Sequence, residues 1–167
     1  PFIPEIQDEL EEITQEDLTL RRALGEEGYK IWKKKYAPND RALHTSDLAS
    51  VTDVELTGFK VNNIDSVTMY TPKTKRLGID GDYKVIRLSG VNDIKYLRIE
   101  NNSILDTISL KPNKPYLNKN LDEVEIRNTN LASYHLTAFG VSQVYPKRIV
   151  LNNVGGVPGY DYMNLVN

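Results

Sequence analysis

The sequence predicts a mainly β domain with an N-terminal helical segment, its short strands stacked as a repeat solenoid. Three observations lead there. The hydrophobic period changes from helical to alternating after Ala37-Pro38-Asn39-Asp40, a segment with turn chemistry. One apolar phrase then recurs through the rest of the chain. Its strand centres at Leu56, Ile79, Ile99, Ile126 and Leu151 lie 23, 20, 27 and 25 residues apart, within the repeat range of about 20–29 residues.

The helical segment comes first. Pro4 suits a first helical turn, and Glu5, Asp8, Glu9, Glu11 and Glu12 supply the negative charge that a helix N-terminus favours. Ile6, Leu10, Ile13, Leu20 and Leu24 follow heptad spacing, with Asp17 at the one polar seam position. These five apolar residues are expected to share one buried face, against the β body as a cap or against another chain as a coiled coil. Gly25 and Gly28 weaken the pattern, so two helices over 5–24 and 27–36 are as consistent with it as one. The charge then turns basic through Arg21, Arg22, Lys30, Lys33, Lys34 and Lys35. That gradient is read as complementarity to the helix dipole with solvated faces. Tyr29, Trp32 and Tyr36 interleave with lysine and are read as packing the helix against the sheet end, their lysine neighbours reaching water. The division expected is 1–43, a helical cap or coiled-coil segment, and 44–167, the repeat-like β body.

Alternation predicts strands over Val51–Phe59, Val67–Thr71, Lys75–Ile79, Lys84–Leu88, Lys95–Ile99, Asp122–Ile126 and Arg148–Leu151. Asn62-Asn63, Asp80-Gly81, Asn101-Asn102, Asn152-Asn153 and Gly155-Gly156 supply turns between them. Asp80-Gly81 reads as a hairpin turn joining Leu77/Ile79 to Lys84–Leu88. Residues 131–139 are the one other stretch compatible with helical turns.

The recurring phrase is Val51-x-x-Val54-x-Leu56, Tyr83-x-x-Ile86-x-Leu88, Ile94-x-x-Leu97-x-Ile99 and Leu121-x-x-Val124-x-Ile126, with Pro146-x-x-Ile149-x-Leu151 matching at its last two positions. A short strand sends alternate residues into a core, and the residue three places earlier fills the turn that leads into it. The Leu88 phrase lies only eleven residues before Ile99, too close to be a full repeat as well.

These segments, above all Leu48–Val61, Ile94–Ile104 and Leu121–Leu131, resemble the leucine-rich repeat family, whose phrase is L-x-x-L-x-L-x-x-N-x-L. The stretch from Leu121 to Asn153 looks like the irregular repeats of bacterial surface proteins. The resemblance spans about residues 44–155 and departs at the ladder asparagine. Only Asn102 stands there, where the equivalents are Phe59, Val91, Thr129 and Val154. It implies a short leucine-rich-repeat-like solenoid with a helical N-terminal cap, a protein or glycan ligand, and an extracellular or cell-surface location. The alternative fold is an antiparallel β-sandwich whose strands share alternation. The two separate on one register: as successive repeats, Arg98 must lie beside Glu125 and Glu100 beside Arg127 on parallel strands.

Composition narrows the chemistry. The chain has 167 residues, 40% hydrophobic and 26% charged, with 21 basic and 23 acidic side chains. That balance argues against a nucleic-acid surface. The absence of cysteine excludes disulfides, thiolate metal sites and thiol catalysis, and two histidines argue against a multi-histidine metal centre. No apolar run approaches the roughly 20 residues of a membrane span. The start at Pro1 reads as a processed form or a fragment. His44, Ser46 and Asp47 adjoin in sequence but read as a turn or cap, and His135 as a structural or surface residue. Asp80 and Asp82 fail the EF-hand pattern, because its twelfth position is Val91. Lys111, Lys114 and Lys119 form a loop with Pro112 and Pro115 that reads as a solvated connection.

No catalytic residue, metal or cofactor is therefore expected. The expected function is a non-enzymatic binding or adhesion module using an exposed strand face, with Glu55, Arg98, Glu100, Glu125 and Arg127 as its outward residues. The alternative is a virion or fibre component that assembles through the N-terminal heptads.

Overall fold

Thr14 and Asp17 start the first helix of the described residues by bonding each other's backbone. The Asp17 N–H donates to Thr14 Oγ1 at 3.1 Å and the Thr14 N–H to Asp17 Oδ2 at 3.0 Å, a capping box that satisfies two orphan donors. The computed structural model describes residues 13–88, 93–109, 121–130 and 146–155, and the backbone of Asp161–Met163.

Helix α1 spans Gln15–Tyr36 and breaks at Gly25, whose φ of 73° and ψ of 174° are not helical. The break matches the expected division into two helices, but the expected continuous segment over 5–24 does not form. Thr14, extended at φ −89° and ψ 170°, interrupts it. The Thr14-x-x-Asp17 box explains why: Asp17 is a capping residue, and the heptad seam had assigned it no local bond. Leu20, Leu24, Tyr29 and Trp32 enter the same core as the strands. Leu20 and Leu24 are thus spent inside the chain, Ile13 is half-buried, and Ile6 and Leu10 lie outside the described residues. Trp32 meets Phe59 edge-on with ring centroids 6.2 Å apart. A Cβ on Gly28 would stand 2.6 Å from the Phe59 ring, so glycine is what lets the helix approach.

The strands are β1 (Asp53–Leu56), β2 (Arg76–Asp80), β3 (Val85–Arg87), β4 (Tyr96–Asn102), β5 (Thr107–Ser109), β6 (Glu123–Thr129), β7 (Arg148–Val154) and β8 (Asp161–Met163). The main sheet has the order β1-β2-β4-β6-β7-β8, with every pair up to β7 parallel and β8 antiparallel at the end. Strands β3 and β5 form a second, parallel two-stranded sheet. The chain is a short parallel β-solenoid. Arg98 pairs with Glu125 and Glu100 with Arg127, so the sandwich alternative is set aside.

Two inward rows build the core: Val54, Leu77, Leu97, Val124 and Ile149, then Leu56, Ile79, Ile99, Ile126 and Leu151. Each buried side chain is worth roughly 1.5–3 kcal/mol. Near the C-terminal end of each parallel strand of the main sheet stands a residue of positive φ: Gly58 (85°) and Gly81 (127°) just past β1 and β2, and Asn101 (54°), Asn128 (45°) and Asn153 (56°) at the next-to-last positions of β4, β6 and β7. Glycine and asparagine tolerate that turn best. The asparagines also bond across coils. Asn153 Nδ2 donates to Asn128 Oδ1 at 2.8 Å, Asn128 Nδ2 to Asn101 Oδ1 at 3.3 Å, and Asn101 Nδ2 to Asp80 Oδ1 at 3.1 Å.

Two expectations are corrected. Asp80-Gly81 makes no hairpin: the chain leaves the main sheet there, and β3 pairs with β5. The Tyr83–Leu88 phrase lies in this second sheet and, as its spacing implies, is no full repeat, while the second repeat has the expected centre Ile79 in Thr74-x-x-Leu77-x-Ile79. Thr74 fills an apolar position because Thr74 Oγ1 donates to the Thr71 carbonyl at 2.6 Å, allowing complete burial. The strand expected over Val67–Thr71 is instead helix α2 (Ile64–Thr68), capped where the Ser66 N–H donates to Asn63 Oδ1. Among the described residues, no helix is long and apolar enough to cross a membrane.

Candidate functional site

Because the strands run parallel and in register, outward side chains gather in rows across the main sheet. The first row reads Asp53, Arg76, Tyr96, Glu123 and Arg148. The second reads Glu55, Gly78, Arg98, Glu125 and Val150, and the third Asp80, Glu100, Arg127 and Asn152. All five outward residues expected from the sequence lie in the second and third rows.

They form one connected network. Arg98 Nη2 bonds Glu55 Oε2 across β2, and Arg98 Nε lies 3.3 Å from Glu100 Oε2, an ionic contact without hydrogen-bond alignment. Arg127 Nε donates to Glu125 Oε1 at 2.5 Å, and Arg127 Nη1 lies 3.9 Å from Glu100 Oε2. Burial alone would lower the Arg98 pKa, but Glu55, Glu100 and Glu125 outweigh it and push it up. The clasp across β2 depends on Gly78, because a Cβ there would collide with both Arg98 Nη2 and Glu55 Oε2.

The groups left open are in the first row. The Arg76 guanidinium sits 3.9 Å from the Tyr96 ring centroid. Among the described residues Arg76 has no carboxylate partner, whereas Arg98, Arg127 and Arg148 each have one. Asp53 stands exposed beside it. A depression of about 100 Å³ opens over Gly78, lined by Asp53, Arg76, Tyr96, Arg98 and Glu125 among others. Sequence reasoning did not single out Arg76, Gly78 and Tyr96. The signal was the strand register itself: aligning the centres Ile79 and Ile99 sets Arg76 level with Tyr96 and Gly78 level with Arg98.

A second cluster joins α1 to the segment before β1. Asp17 is only 4% exposed; its Oδ2 lies 3.0 Å from His44 Nδ1 and its Oδ1 accepts from the Thr45 N–H at 2.7 Å. Asp47 instead takes both Arg41 nitrogens, at 2.6 and 3.0 Å, and the His44 N–H at 2.9 Å. The neighbours His44, Ser46 and Asp47 thus serve a cap and a turn, as their sequence context suggests. Burial alone would raise the Asp17 pKa, but bonds from His44, Thr14 and Thr45 prevail and hold it at about 2. Folding therefore lowers this pKa from 3.8, and the unfolded chain binds the proton more readily. The resulting stabilisation, about 2 kcal/mol, is present above pH 4 or so and lost as pH falls toward 2. Acid titration followed by circular dichroism is expected to show this loss, and Asp17→Asn to flatten the profile in that window.

His135 and the Lys111, Lys114 and Lys119 loop lie outside the described residues. Among the described residues, no group of three or more histidines, aspartates or glutamates is placed to hold a metal ion. No family model, curated protein or solved structure matches the chain.

Proposed function

We propose that the chain is a non-enzymatic binding or adhesion module that recognises a protein or glycan through the outward face of its parallel sheet, at an extracellular or cell-surface location. The observation that carries this reading is Arg76, stacked on Tyr96 beside exposed Asp53 and the Gly78 depression. The other arginines of the face are ion-paired. A stacked guanidinium keeps its donor fork in a fixed direction and loses less entropy on binding. Arginine and tyrosine also dominate the residues that carry interface energy. The surrounding ion pairs hold the face in one arrangement before a ligand arrives, which lowers the cost of binding. The resemblance to leucine-rich repeats supports the same face.

The test is a panel of immobilised glycans and of peptides, probed with the native chain and with Arg76→Ala and Tyr96→Ala. Each substitution is expected to weaken capture of a panel ligand by roughly tenfold or more without changing the circular dichroism spectrum. A panel ligand held equally well by all three proteins contradicts the reading of the face, and no ligand held in either panel contradicts a glycan or peptide as what it binds.

A further inference from the structure

The first outward row carries a pattern that single residues do not reveal. Across β1, β2, β4, β6 and β7 it reads acid, base, tyrosine, acid, base: Asp53, Arg76, Tyr96, Glu123, Arg148. Reversed about Tyr96, every acid falls on a base. A two-fold axis running along β4 performs that reversal when two such faces meet, because it sets β1 opposite β7 and β2 opposite β6. We propose that this face binds a second copy of the chain, with Tyr96 at the two-fold axis. The inference rests on the reading that the outward face is a recognition surface, and it names the partner.

The contacts follow from the register. Asp53 faces Arg148 of the second copy, and Arg76 faces its Glu123, each twice over by symmetry. In the third row Asp80 faces Arg127. In the second row the Gly78 depression lies opposite Glu125, so the gap in one copy receives a carboxylate from the other. Arg98 and Glu100, both on β4, each meet their own copy at the axis, where Arg98 is balanced by Glu55 and Glu100, and Glu100 by Arg98 and Arg127. Like-charge juxtaposition, the usual cost of a wrong alignment, is thus absent from the first row.

Size sets the strength. Five strands at about 4.8 Å and three rows two residues apart give a footprint of roughly 500 Å² per copy, near the low end for specific interfaces. The association is therefore reversible and weak, and it weakens further with salt because its contacts are exposed charges.

The pattern permits a mixing experiment. Asp53→Arg alone sets arginine against Arg148 at both contacts, and Arg148→Asp alone sets aspartate against Asp53. Mixing the two variants restores one opposite-charge contact at each place. Sedimentation velocity over a wide concentration range is expected to show a salt-sensitive dimer for the native chain. Each variant alone should associate roughly tenfold more weakly or not at all, and an equimolar mixture should regain a heterodimer. Circular dichroism of each variant checks that the fold is kept. A mixture that stays monomeric, or single variants that dimerise as the native chain does, overturns the proposal. If the mixture fails while Arg76→Ala still loses a panel ligand, the partner is wrong and the recognition face stands. If both fail, the face itself is wrong.

Discussion

Alanine in place of Ile99 is expected to lower the unfolding free energy by about 2–5 kcal/mol, the usual cost of a cavity at a core isoleucine. Ile99 is fully buried on the central strand β4, between Ile79 and Ile126 in the inward row. Packed on both sides by neighbouring coils, it leaves little room for collapse into the vacated volume. Ile99→Val should cost only about 0.5–1.5 kcal/mol. Denaturant titration measures both. A loss below about 1 kcal/mol for Ile99→Ala would mean that the coils do not stack on this row.

Asn102 is expected to be nearly as costly, for a different reason. It is fully buried, its Nδ2 donating to the Tyr83 carbonyl at 2.8 Å and its Oδ1 accepting from the Ile104 N–H at 3.1 Å. Alanine removes both bonds and strands two backbone groups of neighbouring segments, a penalty of about 2–4 kcal/mol in total. Leucine, which refills the volume but bonds nothing, should rescue little. Full rescue by Asn102→Leu would assign the residue to packing alone.

The parts of this fold visible in the sequence are those written in one short window. Leu97-x-Ile99 and Val124-x-Ile126 show their inward faces by alternation, and aligning them sets Arg98 beside Glu125, as the register does. The second repeat shows through its centre Ile79 and the strand over Lys75–Ile79, while Thr74 departs from the apolar phrase because its hydroxyl is buried through a bond to the Thr71 carbonyl. Val67 and Thr68 read as a strand by composition, while the Asn63 cap and a turn of helix decide otherwise. Gly81, Asn101 and Asn153 read as turn residues one by one, but the positive-φ row is not a sequence motif, because glycine fills it in two coils and asparagine in three, one residue before the asparagine of the leucine-rich repeat phrase.

The candidate site was legible to the same degree and for the same reason. Glu55, Arg98, Glu100, Glu125 and Arg127 were found by repeat alignment, and the structure connects them as ion pairs. That they are spent on one another follows from the span of Arg98 across Gly78, which register reveals and a list of charges does not. Arg76 and Tyr96 become neighbours only once β2 is placed between β1 and β4. The bond between Asp17 and His44 joins residues 27 apart in the chain through tertiary contact, beyond any local motif.

The central claim is that parallel strands in this register present their outward residues as one face, and paired cysteines test it most directly. The chain has no cysteine of its own, so any disulfide reports the introduced pair. With Arg98→Cys and Glu125→Cys the two Cα atoms stand about 4.8 Å apart, within disulfide reach. With Arg98→Cys and Arg127→Cys the offset of two residues takes them to about 8 Å, beyond it. Mild oxidation of dilute protein is expected to close the first pair within one chain and to leave the second free. Closure of the second pair, or of neither, would contradict the register and with it the face.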